Sequence, residues 1–132
     1  MTAARVGGTE LVEQADQNVG IVGLGYVGLP LAVSFAEAGL NVVGLDLDEG
    51  RVTRLRAGSS PIDDVSDERL MAAIERGLSI AEPSPERIAT CDVVFVCVPT
   101  PIDRAKNPDL GPVRRAASQI ADGLRPGQLI VL

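Results

Sequence analysis

Histidine is absent from this chain, and its 132 residues include only two cysteines, one lysine and three aromatics. Without histidine there is no Ser-His-Asp or Cys-His nucleophile pair, no His-ligated zinc or haem, and no imidazole general base. Cys91 and Cys97 are too few for a disulfide framework or a four-ligand zinc site, so no metal site is expected. Tyr26, Phe35 and Phe95, with no tryptophan, do not supply the stacking platforms that single-stranded nucleic acids need. Basic residues are outnumbered, 12 against 18, which leaves a net charge of -6. That balance provides no counterion-release drive toward nucleic acid and no attraction to anionic membranes. No apolar run approaches the ~20 residues that cross a bilayer. Met1 to Gln17 contains no apolar stretch of the signal-peptide kind. The expectation is a cytoplasmic protein that partners neither nucleic acid nor membrane.

What is present is an ordinary globular composition, 45% hydrophobic and 23% charged, at a length suited to one domain. The first seventeen residues carry Gly7-Gly8 and no clear periodicity. They read as a flexible tail or a short frayed helix, with the domain proper spanning 18–132. From Asn18 onward, short apolar runs alternate with amphipathic stretches, the pattern of an α/β, doubly wound parallel sheet. Strands are expected at Val19 to Val22, Asn41 to Leu45, Leu78 to Ala81, Val93 to Val98 and Leu129 to Leu132. A helix from about Val27 to Ala38 shows Leu31, Phe35 and Ala38 at i, i+4 and i+7, and Gly39 stops it. A second, from about Glu49 to Ala57, ends at Gly58. Ser66 reads as the N-cap of a third, with Asp67 and Glu68 on its positive end and Gly77 closing it. Ser84-Pro85-Glu86 opens a fourth. The last, from about Val113 to Leu124, places apolar residues at 113, 116, 117, 120, 121 and 124.

The chemistry concentrates after the first strand, where Gly23, Gly25 and Gly28 form G-x-G-x-x-G directly ahead of a helix. Gly23 permits a sharp turn, Gly25 lets a pyrophosphate approach the backbone, and Gly28 lets helix and strand pack closely. The free N–H groups and positive end of the helix then hold the phosphates. Pro30 is compatible, because first-turn N–H groups have no intrahelical partner to lose. Alone, the motif is equally a flexible turn. Its context adds Asp46, eighteen residues after Gly28 at the end of the second strand, where dinucleotide folds place the acid that binds the adenosine ribose. Its charge repels a 2′-phosphate and so favours NAD over NADP, a preference that Arg51 slightly tempers. The alternative is a solvated, helix-capping turn of Asp46, Asp48 and Glu49.

Pro99-Thr100-Pro101 follows the fourth strand, either as a stiff corner facing the dinucleotide or as a plain strand terminator. Cys97 lies in an apolar strand with no neighbouring cation, and reads as a packed thiol rather than a nucleophile; Cys91 reads likewise. Asp63, Asp64, Asp67 and Glu68 read as a loop and helix start rather than a metal site. Lys106 has no activating surroundings.

The string Gly23-Leu24-Gly25-Tyr26-Val27-Gly28-Leu29-Pro30-Leu31-Ala32 resembles the opening of the UDP-glucose/GDP-mannose dehydrogenase family, the nucleotide-sugar 6-dehydrogenases. Gly44-Leu45-Asp46-Leu47-Asp48, Ser60 to Val65, Val96 to Pro101 and Pro108-Asp109-Leu110 continue the likeness in order and spacing. The resemblance implies a Rossmann-type NAD-binding domain. In it Gly23, Leu24, Gly25, Tyr26, Val27 and Gly28 hold the pyrophosphate, and Asp46 and Arg51 the adenosine side. Val96, Cys97, Val98, Pro99 and Thr100 line the cofactor. It further implies oxidation of a sugar C6 alcohol to a carboxylate with two NAD⁺, by a full-length homodimer that binds the nucleotide sugar. The motif Ser60-Pro61-Ile62-Asp63-Asp64-Val65 leans toward a UDP-N-acetylhexosamine. Family members continue past the fifth strand, where this chain stops at Leu132. The family's catalytic cysteine and lysine have no counterpart in it, so no catalytic residue is assigned and the chain alone is expected to be inactive. A standalone, non-catalytic Rossmann module that binds nucleotide or a partner protein is the alternative. Other G-x-G-x-x-G dehydrogenases, such as the 3-hydroxyacyl-CoA and 6-phosphogluconate types, do not commonly read Gly-Tyr-Val-Gly-Leu-Pro.

Overall fold

The computed structural model describes residues 17–132, together with two short strands, β1 (Arg5–Val6) and β2 (Thr9–Glu10), that pair antiparallel. The rest of the expected N-terminal tail lies outside the described residues. The main body alternates strand and helix: β3 (Asn18–Val22), α1 (Gly28–Glu37), β4 (Asn41–Leu45), α2 (Glu49–Arg56), α3 (Asp67–Glu75), β5 (Ser79–Ala81), α4 (Pro85–Ala89), β6 (Val93–Val96), α5 (Gly111–Gly123) and β7 (Leu129–Val131).

The five strands of the body form one sheet in the order β5-β4-β3-β6-β7, parallel at every pairing. β3 is central, flanked by β4 on one side and β6 on the other, so the chain reverses its direction of winding beside β3. Ligands of such sheets sit in the crevice at the strands' carboxyl ends at that reversal. Apolar clusters cover both faces. One joins Ile21 to Leu29, Val33, Leu55 and Leu70; the other joins Val22 and Val94 to Ile88, Ala116 and Ile120.

The helix boundaries follow local chemistry. Asp48, Ser66 and Ser84 each accept a hydrogen bond from the backbone N–H three residues on, at 3.1, 3.1 and 3.2 Å, capping α2, α3 and α4. Two expected faces are rephased. α1 buries Leu29, Ala32, Val33 and Ala36, whereas Leu31 and Phe35 only flank the core and Ala38 is exposed. Phe35 stacks instead on Phe95, with ring centroids 5.3 Å apart. In α5 only Ala116, Ile120 and Gly123 are buried; Ala117, Ala121 and Leu124 face solvent. Gly123 explains the shift, because a Cβ there would meet Ile88 Cβ at 2.8 Å, so α4 and α5 pack closest along that edge. The fourth expected strand is also shorter, since ladder pairing of β6 ends at Val96 and Pro99 has no N–H to extend it.

Candidate dinucleotide site

The turn from β3 into α1 is fastened to the sheet at three points. The Gly23 N–H donates to Leu45 O at 2.8 Å, and the Leu24 N–H donates to Asp46 Oδ2 at 2.9 Å. The Leu24 side chain is fully buried against Gly44, where an added Cβ would lie 2.9 Å from Leu24 Cδ2. Gly23 has φ +98°, in the left-handed region that favours glycine, and a Cβ there would strike Cys97 O at 2.7 Å. At Gly28 a Cβ would collide with the Gly23 carbonyl, so only glycine lets α1 begin this close to the strand. Gly25 differs from both. A Cβ there would meet only Arg51 Nη1, at 3.6 Å, leaving its outer surface bare. No side chain caps the N-terminus of α1. The result is a rigid loop with an open face at the positive end of a helix, a cradle that fits a pyrophosphate.

Asp46 stands at the carboxyl end of β4, its backbone N–H bonded to Ala81 O at 3.1 Å. Its carboxylate is only 11% exposed and joins the glycine loop to the start of α2. Besides Leu24, it accepts the Asp48 N–H at 2.9 Å and lies 3.6 Å from Arg51 Nη1. The helix-capping role belongs to Asp48. Asp46 is thus a structural tie as well as a candidate ribose ligand.

These groups line a cleft of about 670 Å³ at the carboxyl ends of the strands. Gly23, Leu24, Gly25, Tyr26 and Val27 form one wall, Asp46 and Arg51 a second, and Cys97, Val98, Pro99 and Thr100 a third. Tyr26 and Val27 are exposed at the rim. Two of the residues singled out in the sequence are absent from the lining. Gly28 is buried behind the loop, 3.2 Å from Cys97 Cβ by its missing Cβ, and Val96 packs against the second core cluster. Sequence reasoning missed a fourth wall. Leu47, Pro83 and the α5 residues Pro112, Arg115, Ala116 and Gln119 also line the cleft. The signal for them was faint, a polar Gln119 beside the buried positions of an amphipathic helix.

Burial pushes the Cys97 thiol above its ordinary value, so it stays protonated at neutral pH and is a poor nucleophile. Burial also raises Cys91, aided by Asp92. Asp67 accepts the Ser60 N–H at 2.8 Å, and no metal-binding group of three or more acidic or sulfur side chains occurs among the described residues. Among the same residues, no helix is long and apolar enough to cross a membrane.

Residues 17–132 match the profile of the NAD binding domain of the UDP-glucose/GDP-mannose dehydrogenase family. A UDP-N-acetyl-D-glucosamine 6-dehydrogenase of Pseudomonas aeruginosa is 40% identical over 116 residues, covering 88% of this chain and 26% of that protein. A UDP-N-acetyl-D-mannosamine dehydrogenase of Methanococcus aeolicus is 39% identical over 116 residues, covering 85% of this chain and 26% of the relative. Among solved structures, a UDP-glucose dehydrogenase from Pyrobaculum islandicum superposes with a TM-score of 0.79 at 35% identity, covering 91% of this chain and 29% of that one. The chain therefore spans about a quarter of the length of the curated relatives it matches.

Proposed function

This chain belongs to the UDP-glucose/GDP-mannose dehydrogenase family and spans its NAD-binding domain, and on that premise we propose that it is the cofactor half of a nucleotide-sugar 6-dehydrogenase. In this reading the loop Gly23 to Gly28 and the start of α1 hold the pyrophosphate. Asp46 accepts from the adenosine ribose hydroxyls, Arg51 steadies Asp46, and Cys97 to Thr100 line the nicotinamide side, with Val96 and Gly28 acting from behind. When bound, NAD⁺ supplies a hydride acceptor. The observation that carries the reading is the Asp46 to Leu24 bond. It fixes the ribose acid and the phosphate loop as one unit around the bare face of Gly25.

The whole enzyme is proposed to oxidise the C6 alcohol of a UDP-sugar to a carboxylate with two NAD⁺. Relatives named for UDP-N-acetylhexosamines support that sugar class. A homodimer is part of the same proposal and rests on the resemblance, whereas a cytoplasmic location rests on the charge balance and apolar patterning of the sequence. The 132 residues by themselves are proposed to bind NAD without turnover. Both cysteines are held as thiols by burial, and Lys106 sits in an exposed loop.

Calorimetric titration of the folded chain with NAD⁺ and with NADP⁺ tests the cofactor assignment. Saturable NAD⁺ binding with much weaker NADP⁺ binding is expected. A chain folded by circular dichroism that binds neither would replace this reading with the non-catalytic partner-binding module.

A further inference from the structure

Basic side chains are few in this chain, and the structure divides them sharply. Four of them, Arg104, Lys106, Arg114 and Arg115, are exposed and form no ion pair or side-chain hydrogen bond among the described residues. Every other basic side chain of residues 18–132 forms one or the other. The four lie together in sequence, and the fold places them at the cleft. Residues 101–110 turn back on themselves as a finger, with the Asp109 N–H donating to Pro101 O at 2.7 Å and the Asp103 N–H to Asn107 O at 2.9 Å. Thr100 before the finger and Pro112 and Arg115 after it line the cleft, so the finger is rooted on the rim. The Lys106 N–H bonds Asp103 O at 3.0 Å, which keeps both tip cations within about 15 Å of Thr100. Asp103 and Asp109 turn Oδ1 to backbone N–H groups of Ala105, Asn107 and Gly111 rather than to the cations. Four positive charges against two negative ones leave residues 103–115 at +2 in a chain of -6. Lys106 is also the only non-glycine among the described residues with positive φ, +63°. Glycine reaches that conformation without strain, and the Lys106 side chain forms no bond that would offset it.

We infer that this cationic rim draws the anionic dinucleotide into the cleft. The inference rests on the assignment of the cleft to NAD and adds the residues that govern how fast the cofactor arrives. A chain of net charge -6 repels, at long range, a ligand whose pyrophosphate carries two negative charges. The lining gives no net pull, since Asp46 and Asp48 oppose Arg51 and Arg115. Arg104, Lys106 and Arg114 outnumber Asp103 and Asp109 beside the mouth and supply the attraction there. An ion pair would cancel the field that each cation projects, and none forms. Charges placed on a rim act on association far more than on residence in the site.

The test is stopped-flow fluorescence of NADH binding to the full chain, since the reduced cofactor keeps the pyrophosphate and lacks the pyridinium charge. Wild type is compared with the triple variant Arg104→Gln, Lys106→Gln, Arg114→Gln and with the single variants Lys106→Gly and Lys106→Arg. Arg115 is left intact because it lines the cleft. At ~0.01 M salt, where charges reach ~30 Å, the triple variant should associate about three- to tenfold more slowly, with dissociation unchanged. Near 1 M salt, where they reach ~3 Å, the two rates should converge. Lys106→Gly should raise the urea midpoint by relieving strain and still slow association at low salt, whereas Lys106→Arg should keep the wild-type rate. Equal association rates at low salt, a slowing that persists near 1 M, or a change confined to dissociation would each overturn steering and leave the NAD site standing. A Lys106→Gly chain that gains stability and associates as fast as wild type would remove Lys106 from the rim. Failure of wild type to bind NADH would overturn the NAD assignment, and this inference with it. Circular dichroism on each variant separates these outcomes from misfolding.

Discussion

Replacing Asp46 separates its two roles, tie and ligand. In Asp46→Ala the Leu24 N–H loses its acceptor in a part-buried position, which costs about 1–3 kcal/mol of folding stability. The Asp48 N–H is exposed, so water takes over that bond at little cost. The Arg51 pair contributes little, because at 37% exposure and 3.6 Å it is largely screened. NAD⁺ loses a charged acceptor for its ribose, again about 1–3 kcal/mol, or roughly 5- to 150-fold in Kd. Asp46→Asn retains one acceptor oxygen and the side-chain shape, so its stability should lie nearer wild type. Without the negative charge, the repulsion of a 2′-phosphate falls, and the NAD⁺/NADP⁺ affinity ratio should narrow in both variants. Urea denaturation measures the first effect; titration with each cofactor measures the others. If Asp46→Ala binds NAD⁺ as wild type does and keeps the same cofactor ratio, the ribose assignment is wrong, whatever happens to stability.

Gly28→Ala puts a methyl group into the Gly23 carbonyl; displacement of α1 should cost about 1–3 kcal/mol and abolish measurable NAD⁺ binding, read by denaturation and titration together. Leu24→Ala empties a fully buried site beneath the same loop and should cost about 2–5 kcal/mol in a urea melt. Ser84→Ala removes the N-cap of α4 and should cost about 0.5–2 kcal/mol, with little change in cofactor affinity. The Asp92 carboxylate is held below the usual range by the Asn18 N–H and then by Arg125. Its folded value lies below its unfolded one, so its contribution is present above about pH 4 and lost as pH falls through the lower folded value. The stability gap between wild type and Asp92→Asn should therefore close in acid, and a gap that widens below pH ~4 would contradict this sign.

Much of the scaffold was legible along the chain because its causes are local. Gly23, Gly39, Gly58 and Gly77 all adopt positive φ where a strand or helix ends. Ser66 and Ser84 cap the helices they precede. All five strands of the body fall where the apolar runs lie, with ends differing by no more than two residues. The glycine fingerprint and Asp46 were visible as spacing, since both belong to one strand-helix-strand unit.

What only the tertiary structure decided involves residues far apart in sequence. The faces buried on α1 and α5 depend on which neighbours they meet, Phe95 for one and Ile88 for the other, and periodicity cannot name a partner. Gly44 looks like an ordinary weak point in a strand until Leu24 is seen resting on it. The double duty of Asp46 appears only because parallel pairing of β3 with β4 brings Val22 level with Leu45. Gln119 enters the cleft because the sheet reverses its winding at β3 and carries α5 to the far side of the same crevice. Local sequence sets turns, caps and strand ends through the conformational limits of single residues. Which side chains converge on the ligand is set by the order of strands in the sheet, a property of the whole chain.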